Sequence, residues 1–109
     1  MVVKKAAEGR KYTMARYRIM YWKHIPQSFT VEGEGRTVKK QLSQRIQNAI
    51  DAYAMAEGIT STKDYAAEYK RGEWIEREGA PEEVAETLLS ELEIEFARIE
   101  IPRRNGNGA

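Results

Sequence analysis

The chain has 109 residues, 41% hydrophobic and 32% charged, enough for one soluble domain with a modest core. With no cysteine and one histidine, it has no disulfide, zinc–thiolate site, iron–sulfur cluster, thiol nucleophile or two-histidine metal motif. The formal charge of +1 hides a split: residues 1–45 carry eleven Lys/Arg against three Glu (11 − 3 = +8), and residues 46–109 carry seven against fourteen acids (7 − 14 = −7).

Residues 1–13 are polar and basic, without periodicity, and read as a flexible arm. They contain no apolar core of the about 7–15 residues a signal peptide needs. Patterned sequence begins at Met14, which is a candidate alternative start. No apolar run approaches the about 20 residues of a membrane helix, so the expected location is the cytoplasm. Met14–Trp22 is rich in aromatic and β-favouring residues. As a strand it places Tyr17, Ile19 and Tyr21 on one face and Arg16, Arg18, Met20 and Trp22 on the other.

His24-Ile25-Pro26 is expected to break the strand, because proline lacks an amide donor and restricts its predecessor. Gln27–Glu32 predicts a second strand with Phe29 and Val31 inward, and Gly33-Glu34-Gly35 a turn. Arg36–Leu42 then returns as a third antiparallel strand with Val38 and Leu42 inward, in competition with a helix from Thr37. Ser43 is placed to cap a helix over Gln44–Glu57, whose stripe is Ile46, Ala49, Ile50, Tyr53 and Ala54, with Gly58 ending it.

Thr60-Ser61-Thr62 offers a second cap, for a short helix over Lys63–Tyr69. Glu73–Glu78 predicts a fourth strand. Gly79-Ala80-Pro81 opens a last helix of about four to five turns. Its buried stripe is Ala85, Leu88, Leu89, Leu92, Phe96 and Ile99, and Pro102 stops it. The order is β-β-β-α-α-β-α. It predicts an α+β fold, a small antiparallel sheet with helices packed on one face, over residues 14–101, followed by a mobile tail over 102–109.

Several of these segments carry a family resemblance. A strand ending in Tyr21-Trp22, then Ile25-Pro26 and an Arg36-Thr37-Val38 strand, resembles the small bacterial virulence factor domain. So do Leu42–Asp51 (LSQRIQNAID) with Ala54-Met55, the Asp64-Tyr65 pair, Gly72 before Trp74, and Gly79 before Glu82-Glu83-Val84-Ala85. The match covers about Ala15–Phe96. This chain departs from the family pattern at Ala80, where a capping Ser or Thr is expected. The resemblance implies a module found beside helical repeats in longer proteins and also alone, with no established catalytic residues. It also points to an accessory role beside an enzyme, with one-carbon metabolism as the companion chemistry.

The residues that carry chemistry are few. His24 has no obvious nucleophile to activate, since Ser28, Ser43 and Ser61 fit turn or capping roles. Asp64, Glu68, Glu73 and Glu76 are candidates for a carboxylate pair, but they lack calcium-loop spacing. Gly33-x-Gly35 lacks the third glycine and the helix that phosphate binding needs. No cofactor or metal is expected. The face carrying Arg16, Arg18, Met20 and Trp22, with Lys23 and Trp74 beside it, is the expected partner-binding site, because Trp, Met and Arg are enriched at protein interfaces. The expected partner is another protein or a second copy of the chain. Eight Glu against one Arg over Glu78–Glu100 read as a solvated helix face, able to complement the basic strands of its own sheet or of a second copy. The alternative is nucleic-acid binding, with Tyr12, Tyr17, Tyr21, Trp22 and Phe29 stacking bases between basic residues.

Overall fold

The structure is a computed structural model that describes residues 13–102. Apart from Thr13 and Pro102, the expected arm and tail lie outside the described residues. The elements are β1 (Met14–Trp22), β2 (Ile25–Gly33), β3 (Arg36–Gln41), α1 (Gln44–Ala56), α2 (Thr62–Ala67), β4 (Tyr69–Arg71), β5 (Ile75–Glu78) and α3 (Pro81–Glu95). They form one antiparallel sheet in the order β3-β2-β1-β4, with β5 pairing the other end of β1. The fold is α+β, as the element order implies.

The first three strands form a meander because both connections are two-residue turns. Glu34 and Gly35 both have positive φ, 52° and 75°. That is the type I′ geometry whose twist matches flanking strands. The register pairs Gly33 with Arg36, Val31 with Val38 and Phe29 with Lys40. Residues 36–41 are therefore strand, and the competing helix from Thr37 is not formed. The first strand ends at Trp22 as expected, but Pro26 is itself part of the second strand, expected to begin only at Gln27. Strand β2 begins at Ile25, and the register slips between Met20 and Tyr21, which leaves Gln27 without a Cα partner on β1. A proline is tolerated at such an irregularity because the regular ladder is already interrupted.

One cluster forms the core: Ala15 and Ile19 of β1, Phe29 and Val31 of β2, Ile46, Ile50 and Ala54 of α1, and Val84, Ala85, Leu88 and Leu92 of α3, with Trp22, Ile25 and Leu42. The helix stripes are the ones the 3.6-residue period selects. Trp22 corrects the sequence reading. The alternation puts it on the open face, yet it is fully buried, as is its cross-strand partner Ile25. Period-two alternation states a side but not what lies over it. Here Tyr53 and Tyr65 stand 5.9 and 5.2 Å from the indole, and the indole N–H donates to the Tyr65 carbonyl at 2.9 Å. The segment after α1 thus closes the core over Trp22.

The helix ends are satisfied mostly by partners distant in sequence. Ser43 does not cap α1 with its hydroxyl. Instead its amide and its hydroxyl both donate to the Glu93 carboxylate of α3, at 2.6 and 3.0 Å. Arg45 donates to the carbonyls of Glu93, Phe96 and Ala97 and to the Glu93 carboxylate, so it caps the C-terminus of α3. Those carbonyls would otherwise lack partners and carry the negative end of the helix dipole. Helix α1 closes locally: Gly58 donates to the Met55 carbonyl and Ile59 to that of Ala54, the Schellman pattern. Helix α2 is capped by the Ser61 hydroxyl, which accepts from the Asp64 amide. At Ala80 no side chain can accept, and only the Glu83 carboxylate reaches back to the Ala80 amide, at 3.4 Å. Helix α3 ends at Glu95, before Phe96 and Ile99, which still pack against the core.

The expected short helix stops at Ala67, and Tyr69–Arg71 becomes a strand that the sequence reading did not anticipate. The Gly72 amide donates to the Ile19 carbonyl at 2.7 Å. A Cβ at Gly72 would stand 3.1 Å from that carbonyl oxygen and 3.2 Å from the Tyr21 ring. The oxygen belongs to the central strand and cannot yield cheaply. Gly72→Ala is expected to cost about 1–3 kcal/mol, read from the urea midpoint. Trp22→Ala should cost about 3–5 kcal/mol, a large share of a small domain's stability, and Trp74→Ala no more than about 1 kcal/mol.

Candidate functional site

The sheet has one face under α1 and α3, and the side chains on its other face follow from the register. One cross-strand row is Glu76, Arg16, Glu32 and Thr37. The next is Arg18, Thr30 and Lys39. The third is Arg71, Met20, Ser28 and Gln41. Every one of these eleven positions belongs to a strand, and none belongs to the core cluster.

Trp74 reaches this face through an irregularity. Arg71 pairs with Met20 and Ile75 with Tyr17, so residues 72–74 on the edge stand against only residues 18 and 19 of β1. The extra residue shifts the alternation by one and carries Trp74, instead of Glu73, beside Arg18. The guanidinium carbons of Arg16 and Arg18 lie 4.1 and 4.8 Å from the indole centroid. Such contacts contribute about 0.5–1 kcal/mol each where solvent is near. Arg16 also donates twice to the same Glu32 oxygen, at 2.8 and 3.1 Å. Among the described residues Arg18 has no such partner, and its Nε is buried without a hydrogen bond. A groove of about 450 Å³ runs here, lined by Arg18, Met20, Thr30, Lys39, Arg71 and Trp74 among others.

Four of the six expected site residues are thus brought together: Arg16, Arg18, Met20 and Trp74. Trp22 and Lys23 are not. Trp22 lies in the core. Lys23 occupies the β1–β2 turn at φ 55°, where its amide donates to the Glu68 carbonyl and its ammonium pairs with the Glu68 carboxylate at 3.3 Å. The sequence reading missed Thr30, Lys39 and Arg71. The first two were available from the alternation that puts Val31 and Val38 inward. Arg71 was hidden because it falls just after the helix expected over Lys63–Tyr69, where no strand is expected. His24 is exposed in the same turn as Lys23, with its ring 5.5 Å from that of Tyr53. Among the described residues, no group of three or more His, Asp or Glu is placed to hold a metal.

On the helix side, charge is consumed internally. Arg36 pairs with Glu82 at 2.7 Å, Lys40 with Glu86 at 3.2 Å, Arg77 with Glu91 at 2.7 Å, and Arg45 with Glu93 at 2.8 Å. The hydrogen bond from Arg36 holds the Glu82 carboxyl down at about 2, and that from Arg77 holds Glu91 below the usual range. Tyr65 is pushed up to about 12, first by burial and then by its 2.8 Å hydrogen bond to Asp51.

These carboxyl shifts set a pH dependence. A carboxyl with a depressed folded pKa contributes stability that is present above its ordinary range and is lost as pH falls toward the folded value. The pairs are solvent-exposed, so the effect is small. The urea midpoint should fall as pH drops from about 4.5 toward 2, and the fall should be shallower in an Arg36→Ala/Arg77→Ala variant.

A family model described as Virulence factor matches residues 20–103, over three quarters of the chain. The match begins within β1, so Met20 and Trp74 fall inside it while Arg16 and Arg18 precede it. No curated protein and no solved structure matches the chain. On the extent of the family match, the chain belongs to the Virulence factor family.

Proposed function

We propose that this chain is a non-catalytic protein-binding module that engages its partner through the open face of the sheet. The observation that carries this reading is the Arg16–Trp74–Arg18 cluster beside Met20, on the side the core does not use. Arg, Trp and Met on a rigid strand surface are the residue types that anchor interfaces, because they bury much area for little lost side-chain freedom per contact. A partner that is a distinct protein fits better than a second copy. Head-to-tail pairing would need the glutamates of α3, and Glu82, Glu86, Glu91 and Glu93 are already paired with the chain's own cations.

Nucleic-acid binding loses its main support. Phe29 and Trp22 are buried, and Tyr17 and Tyr21 pack against the core cluster, so these aromatics do not form a stacking surface. Tyr12 lies outside the described residues. Among the described residues no helix is long and apolar enough to cross a membrane.

The test is site-specific photo-crosslinking in cell extract. A crosslinker at Thr30 or Gln41, on the open face, should yield a discrete protein adduct, and one at Ser90 on the exposed side of α3 should not. Trp74→Ala should reduce the adduct at least about tenfold, the loss of a modest anchor residue, while leaving the melting temperature nearly unchanged. Equal adducts from Ser90, or none from the open face, defeat the proposal.

A further inference from the structure

The cations of this domain sort into two groups. Those around α3 are paired with its glutamates, Lys23 with Glu68, and Arg16 with Glu32. Arg18, Lys39 and Arg71 have no ion-pair partner among the described residues, and all three line the single groove that Trp74 borders. Lys63, Lys70 and Arg98 also lack such partners but do not line it. Arg18 and Lys39 flank the Thr30 hydroxyl in one cross-strand row, about 10 Å apart across two strand spacings. Arg71 stands in the adjacent row, next to Met20. Among the charged residues lining the groove, three unpaired cations face one glutamate, Glu32, which Arg16 already engages.

We infer that the groove takes an acidic, extended peptide segment of a partner protein, its carboxylates meeting Arg18, Lys39 and Arg71 and an apolar residue resting on Met20 and Trp74. This rests on the protein-binding reading above and adds the chemistry of the partner. A fork of guanidinium donors held flat by stacking is pre-organised for a carboxylate. The Arg18 guanidinium is held in this way by the indole, with its Nε already shielded from water. Desolvating cations that have no internal partner is costly unless the incoming chain supplies the countercharge. Spaced carboxylates suit the face better than a phosphodiester backbone. Glu32 and Glu76 sit in the neighbouring row, where a continuous line of phosphates would meet them. Of the two aromatics lining the groove, Phe29 is buried and Trp74 already carries two guanidinium groups. The hollow at the β2–β3 turn suits such a segment less well. There Arg16 and Arg36 are both paired with glutamates and offer no free charge.

The experiment titrates the full chain with an oligoglutamate peptide at low salt, followed by tryptophan fluorescence, with Trp74 as the partly exposed reporter and Trp22 buried. Saturable binding is expected, weakening as salt rises. Arg18→Ala/Lys39→Ala should lose at least tenfold in affinity, and Lys63→Ala/Lys70→Ala less than twofold. No binding, an equal loss in both variants, or tighter binding of an oligothymidylate of the same charge would overturn the inference. The protein-binding reading fails separately. If the open-face crosslink to a partner forms and oligoglutamate neither binds nor displaces it, only the acidic chemistry is wrong. If no such crosslink forms, the reading beneath it is wrong as well.

Discussion

The domain depends on a sheet that is covered on one side only. A single antiparallel layer can bury one face under helices and must leave the other in water. Ile19, Phe29 and Val31 meet α1 and α3, so the alternating positions Arg18, Thr30 and Lys39 have no helix to meet. Each later feature follows from that asymmetry. Four ion pairs gather where β3, β5 and α1 approach α3, and three of the cations left unpaired among the described residues line the open groove. The charge split along the chain therefore does not become a split between two faces. Most of the acidic helix is neutralised by β3, β5 and α1, and the surplus that remains lies on the far side of the sheet.

The junction of α1 and α3 shows how few groups hold the covered layer in register. One carboxylate, Glu93, accepts from the Ser43 amide and hydroxyl and from Arg45, and Arg45 in turn satisfies the last carbonyls of α3. The start of one helix and the end of the other are therefore a single network. Charge-assisted bonds to a backbone amide are among the stronger ones. They also fix orientation, which apolar packing of leucines and isoleucines does weakly. At the opposite end, Trp22 plays the corresponding part through its indole N–H and the Tyr53 and Tyr65 rings. Between these two clamps the open face is a rigid surface with little to do for stability, which is the property a binding surface needs.

The first three strands were legible because their signals are local: period two, a turn glycine and β-favouring residues act within a few positions of one another. The stripes of α1 and α3 were legible for the same reason. Most of the open face was legible too, because once Val31 and Val38 are inward, Thr30 and Lys39 must point out. Three features were not legible. Tyr69–Arg71 reads as the last residue of a helix and the turn after it, and it becomes a strand only because the edge of β1 is there to pair with. Trp74 joins Arg18 through one extra residue in the edge, a register decision made by both strands together. Trp22 lies just past the register shift of its strand and is buried, because Tyr53 and a segment more than forty residues later close over it.

By itself, then, the sequence determined most of the elements, the fold class, the family and most of the residues that avoid the core, since all of these rest on periodicity and short-range chemistry. The tertiary structure decided which charges remain unspent. Arg36 and Lys39 are indistinguishable as letters in a basic strand. One finds Glu82 across the covered face, and the other points into an open groove beside Thr30. The Coulomb interaction that separates them falls off with distance in space, not with distance along the chain. That is why the unpaired cations of the candidate site became visible only when the helices were in place.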